Sequence, residues 1–236
     1  MRLTLSSSAA PESTLGDLLE ICQRRGFAGL ELDVPSGRFR PEGAAIDEVR
    51  VRAERAGIRI TALRMDPAGA GDEASLDAAR ALDAPVVVPL LAEAAAHRLA
   101  ERCAAAGARL VLVVRSDPHA ARIVHRIADA VGGETVSLGW DIRPERDEAE
   151  AVPEMLAATG SRLGYVRLYG GGPETATQTG LGVGALIARL AIARYDGPLV
   201  LTPSDGRYHR AWESWLGRRA GWGCGSKTAD PDLVTL

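Results

Sequence analysis

The chain has 236 residues, 46% hydrophobic and 25% charged, with a formal net charge of −3. That composition excludes a disordered, collagen-like or disulfide-scaffold protein. The near-neutral balance gives no electrostatic warrant for nucleic acid or membrane as the main partner. In chain order, short apolar, β-branched runs at 2–6, 28–33, 58–64, 85–89, 109–114, 136–141, 163–168 and 199–202 read as strands. Between and after them, amphipathic runs at 14–25, 44–56, 73–82, 92–106, 118–131, 148–159, 183–195 and 208–219 read as helices. Gly26, Gly57, Gly107 and Gly160 stand at helix ends, and Gly197 is assigned the same role, because glycine enters the left-handed conformation cheaply.

Eight strand–helix units predict a parallel sheet, since each helix carries the chain back over it. The count and the length favour a single-domain α/β fold, a (β/α)8 TIM barrel over 1–220 followed by a flexible C-terminal tail, 221–236. A doubly wound open sheet is the alternative. The N-terminus has no apolar h-region of signal-peptide length, and the longest apolar runs, such as 84–92, are too short to span a bilayer. The three widely spaced cysteines include no CxxC pair, which fits a reducing cytoplasm and argues against a zinc ribbon or redox pair. Lys227 is the only lysine, so every cation near a site is an arginine fork or a histidine.

In such a barrel the loops after the strands build the active site, and alternation along each strand decides which side chains face the lumen. This rule puts Ser6, Glu31, Asp33, Arg64, Arg115, Asp141, Arg167 and Thr202 around the mouth, with Val113 below Arg115 and with Asp117 and His119 close by.

The stretches GFAGLEL (26–32), AGIRITAL (56–63), ALDAPVV (81–87) and YDGPL (195–199), in this order and spacing, resemble the second, third, fourth and eighth strand regions of the xylose isomerase-like barrels. That superfamily of sugar isomerases and epimerases includes hydroxypyruvate isomerases, inosose dehydratases and endonuclease IV enzymes. The resemblance covers almost the whole chain. It implies a divalent metal held by a Glu on strand five, an Asp and a His on strand six, a His on strand seven and a Glu on strand eight. Those positions fall here on Val113, Asp141, Pro144, Arg167 and Thr202, so only Asp141 keeps the ligand type. One carboxylate cannot satisfy a hard divalent cation, and Arg167 would repel it. The expectation is therefore no metal and no cofactor.

Arg64, Arg115 and Arg167 at one rim are instead the pattern of a pocket for a small anionic molecule, because guanidinium forks favour carboxylates and phosphates. Asp33, Thr202 and Gln178 join them as candidate substrate-binding residues. Asp141, Glu31 and His119 are the candidate catalytic acids and bases. The competing view is that these arginines neutralise Glu31, Asp33 and Asp141 in a structural network. The glycines at 170–172 and 180–184 suggest a flexible loop or lid carrying Gln178 and Thr179, or a phosphate seat. His97, His125 and His209 read as surface or packing residues. Trp212, Trp215 and Trp222 read as packing for the last helix and tail, or an oligomer contact. Two functions follow as expectations: metal-independent proton transfer on a small anionic carbohydrate or keto acid, or a non-catalytic pseudoenzyme that binds or assembles.

Overall fold

Alternating side chains on short, doubly buried strands set the architecture. In the computed structural model, which describes residues 1–34, 44–143, 151–169 and 183–202, eight parallel strands pair each with the next and the last closes onto the first. They are β1 (Arg2–Ser6), β2 (Gly29–Asp33), β3 (Arg59–Arg64), β4 (Val86–Pro89), β5 (Leu110–Val114), β6 (Val136–Ile142), β7 (Leu163–Tyr169) and β8 (Pro198–Thr202). Among the described residues the helices are α1 (Leu15–Arg25), α2 (Ala44–Ala56), α3 (Glu73–Ala81), α4 (Glu93–Ala105), α5 (Pro118–Val131), α6 (Ala151–Thr159) and α7 (Val183–Ile192). The expected (β/α)8 barrel is the one observed. The helix expected at 208–219, the tail from 221 and the loop at 170–182 lie outside the described residues.

One set of strand side chains, including Leu30, Leu32, Leu110, Leu112, Leu138, Trp140, Val166, Leu168 and Leu199, packs into the large core with the helices. The other set forms a smaller cluster of Ala62, Val87, Val111, Val113, Tyr165 and Val200. Burial on both faces explains why these strands read as nearly continuous apolar runs. Gly139 on β6 is required by close approach: a Cβ there would stand 2.7 and 2.8 Å from the methyls of Val111 and Val113.

Gly26, Gly57, Gly107 and Gly160 take positive φ of 72°, 67°, 67° and 54° at helix ends, as glycine's missing Cβ allows. Gly197 does not have the role assigned to it. The last described helix ends at Ile192, short of the predicted 195, and Arg194 takes the left-handed turn with φ 55°. Gly197 makes room for Tyr195, whose hydroxyl donates to the Pro198 carbonyl at 2.6 Å and would lie 2.5 Å from a Cβ at 197. Leu199 and its neighbours on β8 then enter the ring beside β1 and β7.

Candidate functional site

β2 brings Glu31 and Asp33 to the C-terminal end of the ring, and β7 brings Tyr165, Arg167 and Tyr169 on one alternating face. Glu31 is fully buried. Its Oε1 accepts from Ser6 Oγ of β1 at 2.9 Å; its Oε2 accepts from Arg167 Nη2 at 2.6 Å and from the Tyr165 hydroxyl. Arg167 is 2% exposed and donates from Nη1 to the Tyr169 hydroxyl at 2.9 Å. Its guanidinium stands 5.4 and 5.5 Å from the ring centres of Tyr165 and Tyr169, and Arg143 lies over the second ring at 4.9 Å. Arg64 Nη1 of β3 donates to Asp33 Oδ2 at 3.0 Å, while the Asp33 backbone N–H donates to Ser7 Oγ at 2.8 Å.

Asp141 of β6 is the register partner of Arg167, yet its Oδ1 is 4.0 Å from Arg167 Nη1, too far for a hydrogen bond. Burial pushes the Asp141 carboxyl above its ordinary proton affinity; Arg167 opposes the shift and Glu31 reinforces it. Burial likewise raises Asp33, with Arg64 opposing. The Tyr165 phenol is pushed well up by burial and remains a donor. Burial works against the Arg167 charge, but Glu31, Tyr165 and Asp141 outweigh it and keep the guanidinium protonated. Among the described residues, the buried atoms Asp141 Oδ1, Arg167 Nε and Thr202 Oγ1 have no hydrogen-bond partner.

The structure thus gathers Glu31, Asp33, Arg64, Asp141, Arg167 and Thr202 at one end of the barrel. Arg115 follows β5 and is exposed, outside the hydrogen-bonded group described above. His119 is also exposed, in the first turn of α5, where its backbone N–H donates to Asp117 Oδ1 at 2.8 Å. Gln178 lies outside the described residues. Tyr165 and Tyr169 escaped sequence reasoning, although both share the parity of Arg167 on one strand and alternation alone would have found them.

Four of the five positions at which the resemblance implies metal ligands are described. Val113 is 7% exposed in the lumen cluster and offers no donor atom. Asp141 offers a carboxylate and Thr202 a hydroxyl, with the fixed cation of Arg167 between their strands. Among the described residues no group of three His, Cys, Asp or Glu side chains is placed to hold a metal ion. This donor set does not fit a divalent cation, which asks for several oxygen or imidazole ligands.

No family profile matches the chain, and no curated protein sequence does. Solved structures do match. The 3-keto-D-glucoside 4-epimerase YcjR from E. coli is 17% identical, with a TM-score of 0.64 over 92% of this chain and 99% of that one. A xylose isomerase domain protein from Planctomyces limnophilus is 14% identical, with a TM-score of 0.63 over 93% and 94%. An AP endonuclease of family 2 from Brucella melitensis is 16% identical, with a TM-score of 0.68 over 94% and 98%. The chain therefore shares its TIM-barrel fold with a sugar epimerase, a xylose isomerase domain protein and an AP endonuclease. Fold alone does not choose among their chemistries.

Proposed function

We propose that this protein is a sugar isomerase/epimerase-like enzyme that moves a proton beside the carbonyl of a small carbohydrate or keto acid without a metal ion. The observation that carries this reading is Asp141: a half-buried carboxyl of raised proton affinity, whose buried Oδ1 has no hydrogen bond and stands 4.0 Å from a guanidinium. Such a group holds a proton more readily than an ordinary carboxyl, which is the direction a proton carrier needs. Arg167 supplies a fixed positive charge where relatives would hold a cation. Glu31, its oxygens already occupied by three donors, is better suited to holding Arg167 than to shuttling protons.

Among the described residues, the three carboxylates of Glu31, Asp33 and Asp141 stand against the three guanidiniums of Arg64, Arg143 and Arg167 at this end of the barrel. An uncharged or singly charged compound fits that balance better than a phosphorylated one. The net charge of −3 supports no nucleic acid partner. No described helix is long and apolar enough to cross a membrane. Free, buried Cys22 and Cys103, raised by burial to about 12 and about 11, favour a reducing compartment such as the cytoplasm.

A non-catalytic binding protein is the second reading, favoured by the pairs Arg64–Asp33 and Arg167–Glu31, which neutralise two of the three arginines expected at the rim. Proton NMR in D2O decides between them. A panel of ketohexoses and small keto acids is incubated with EDTA-treated protein and with Asp141→Asn. Exchange of the hydrogen beside the carbonyl, reduced at least about 10²-fold in the variant, is the expected result. Absence of exchange across the panel overturns the enzyme reading, and exchange that appears only on adding Mn2+, Mg2+ or Zn2+ overturns its metal-free form.

A further inference from the structure

Buried polar atoms without partners are rare and costly, about 1–3 kcal/mol each, so a cluster of them asks for a missing partner. Here three occur on three consecutive strands at the same end of the ring: Asp141 Oδ1 on β6, Arg167 Nε on β7 and Thr202 Oγ1 on β8. Arg167 and Thr202 are 2% and 9% exposed. Asp141 and Arg167 are register partners, and Thr202 pairs with Tyr169, two residues beyond Arg167 on the same face of β7, so the three side chains lie on neighbouring strands at the same end of the ring.

The chemistry of the trio is specific. Arg167 usually offers a planar fork, but Nη2 is engaged by Glu31 and Nη1 by Tyr169. Nε is the one guanidinium nitrogen with no hydrogen-bond partner, and its single N–H suits one oxygen atom. The Thr202 hydroxyl can add a second donor. Asp141 Oδ1 accepts when ionised and donates when protonated, which suits the proton or hydroxyl on the neighbouring carbon.

We propose that Arg167 Nε, Thr202 Oγ1 and Asp141 Oδ1 seat one hydroxy-carbonyl unit of an uncharged substrate, and that Arg167 is a catalytic residue donating from Nε to the carbonyl oxygen. This rests on the proton-transfer reading above and deepens it. In the forward step the Asp141 carboxylate takes the proton from the carbon beside the carbonyl. The C–H electron pair becomes the C=C bond of an enolate, and the carbonyl π pair moves onto the oxygen held by Arg167 Nε and Thr202 Oγ1. In the reverse step Asp141 returns a proton to carbon and the carbonyl re-forms, so no oxidant or reductant is consumed. A guanidinium fixed by Glu31 and Tyr169 stabilises that oxyanion without having to reorganise.

Two measurements test the seat. The first is calorimetric titration of the wild-type protein, Thr202→Val and Arg167→Lys with glycolohydroxamate, an uncharged planar mimic of an enediol. Wild-type binding weakened at least about tenfold in both variants is expected, the loss of one hydrogen bond to a desolvated group. Equal affinity in folded variants, or no binding by the wild type, overturns the seat. Arg167→Lys disturbs a buried ion pair; if it fails to fold, Thr202→Val alone decides, since valine keeps the shape and removes the hydroxyl. The second is exchange kinetics with the best ketohexose. Thr202→Val is expected to lower kcat by about 10²-fold with little change in KM, the signature of an interaction made in the transition state. An unchanged kcat overturns the oxyanion role while leaving the proton-transfer reading intact. Hydroxamate binding without exchange on any sugar leaves the seat standing and removes the catalytic reading.

Discussion

Glu31 and Arg167 are the pair on which the mouth depends, and their environments make opposite demands. Both are removed from water, so each is tolerable only because the other is there. Glu31→Gln strands the guanidinium in the lumen and is expected to destabilise the fold by about 3–5 kcal/mol in urea unfolding. Tyr165→Phe leaves Glu31 with two of its three donors and is expected to cost only about 1 kcal/mol by the same measurement. Similar losses for the two variants would contradict this view of the pair. Asp141 makes a pH-dependent prediction. Its folded-state proton affinity is raised above the ordinary 3.8, so the folded state binds this proton more tightly than the unfolded chain does. The resulting stability is fully present below the unfolded value and is lost as pH rises through the folded one. Wild-type Tm is therefore expected to fall relative to Asp141→Asn as pH rises across that window, and parallel profiles would contradict the assignment. Exchange activity should rise across the same window, because the base is the carboxylate.

At the scale of the elements, most of the fold was legible because its signals are local. Alternation between β-branched runs and amphipathic runs put every described strand and helix within a few residues of its observed bounds, and left-handed glycines ended four helices as expected. The exception is instructive. The end of α7 carried no glycine, and Arg194 supplied the left-handed turn, so the sequence signal pointed to Gly197, which serves Tyr195 instead. What decided that position was packing between residues brought together by the turn, which no local pattern reports. Two substitutions separate the roles of glycine here. Gly57→Ala places a Cβ at φ 67° in open space and is expected to cost about 1 kcal/mol of unfolding free energy from backbone conformation alone. Gly139→Ala keeps an ordinary backbone but drives a methyl into Val111 and Val113; overpacking of this kind costs about 1–3 kcal/mol. Because Gly139 lies two residues before Asp141 on β6, that variant should also shift the carboxyl and slow exchange, while Gly57→Ala should leave exchange unchanged.

Across the whole molecule, the ring explains why the site was only half legible. Six of the candidate residues meet because closure of β8 onto β1 brings β2, β3, β6, β7 and β8 to one end. Parity along a strand was enough to choose them, but not to say who pairs with whom: Arg64 with Asp33, and Arg167 with Glu31, are partnerships set by side-chain reach. Arg115 shows the limit of parity, since it lies past the last β5 pairing and faces solvent. Removal of residues 1–6 deletes the strand that joins both edges and the Ser6 donor to Glu31. Such a chain is expected to lose its cooperative transition and near-ultraviolet circular dichroism and to bind ANS; retention of a sharp melt would show that the remaining strands can close without it.

The Glu31–Arg167 contact spans 136 positions along the chain. A half-assembled intermediate that has collapsed around β2 but not yet received β7 must either keep Glu31 wet or carry a naked charge into oil. A one-residue slip of β7 meets the same penalty, because it would turn Tyr165, Arg167 and Tyr169 away from the lumen together. The electrostatic reward is withheld until the ring is both complete and in register, so the same two side chains that prepare the mouth for chemistry also proofread the assembly of the barrel.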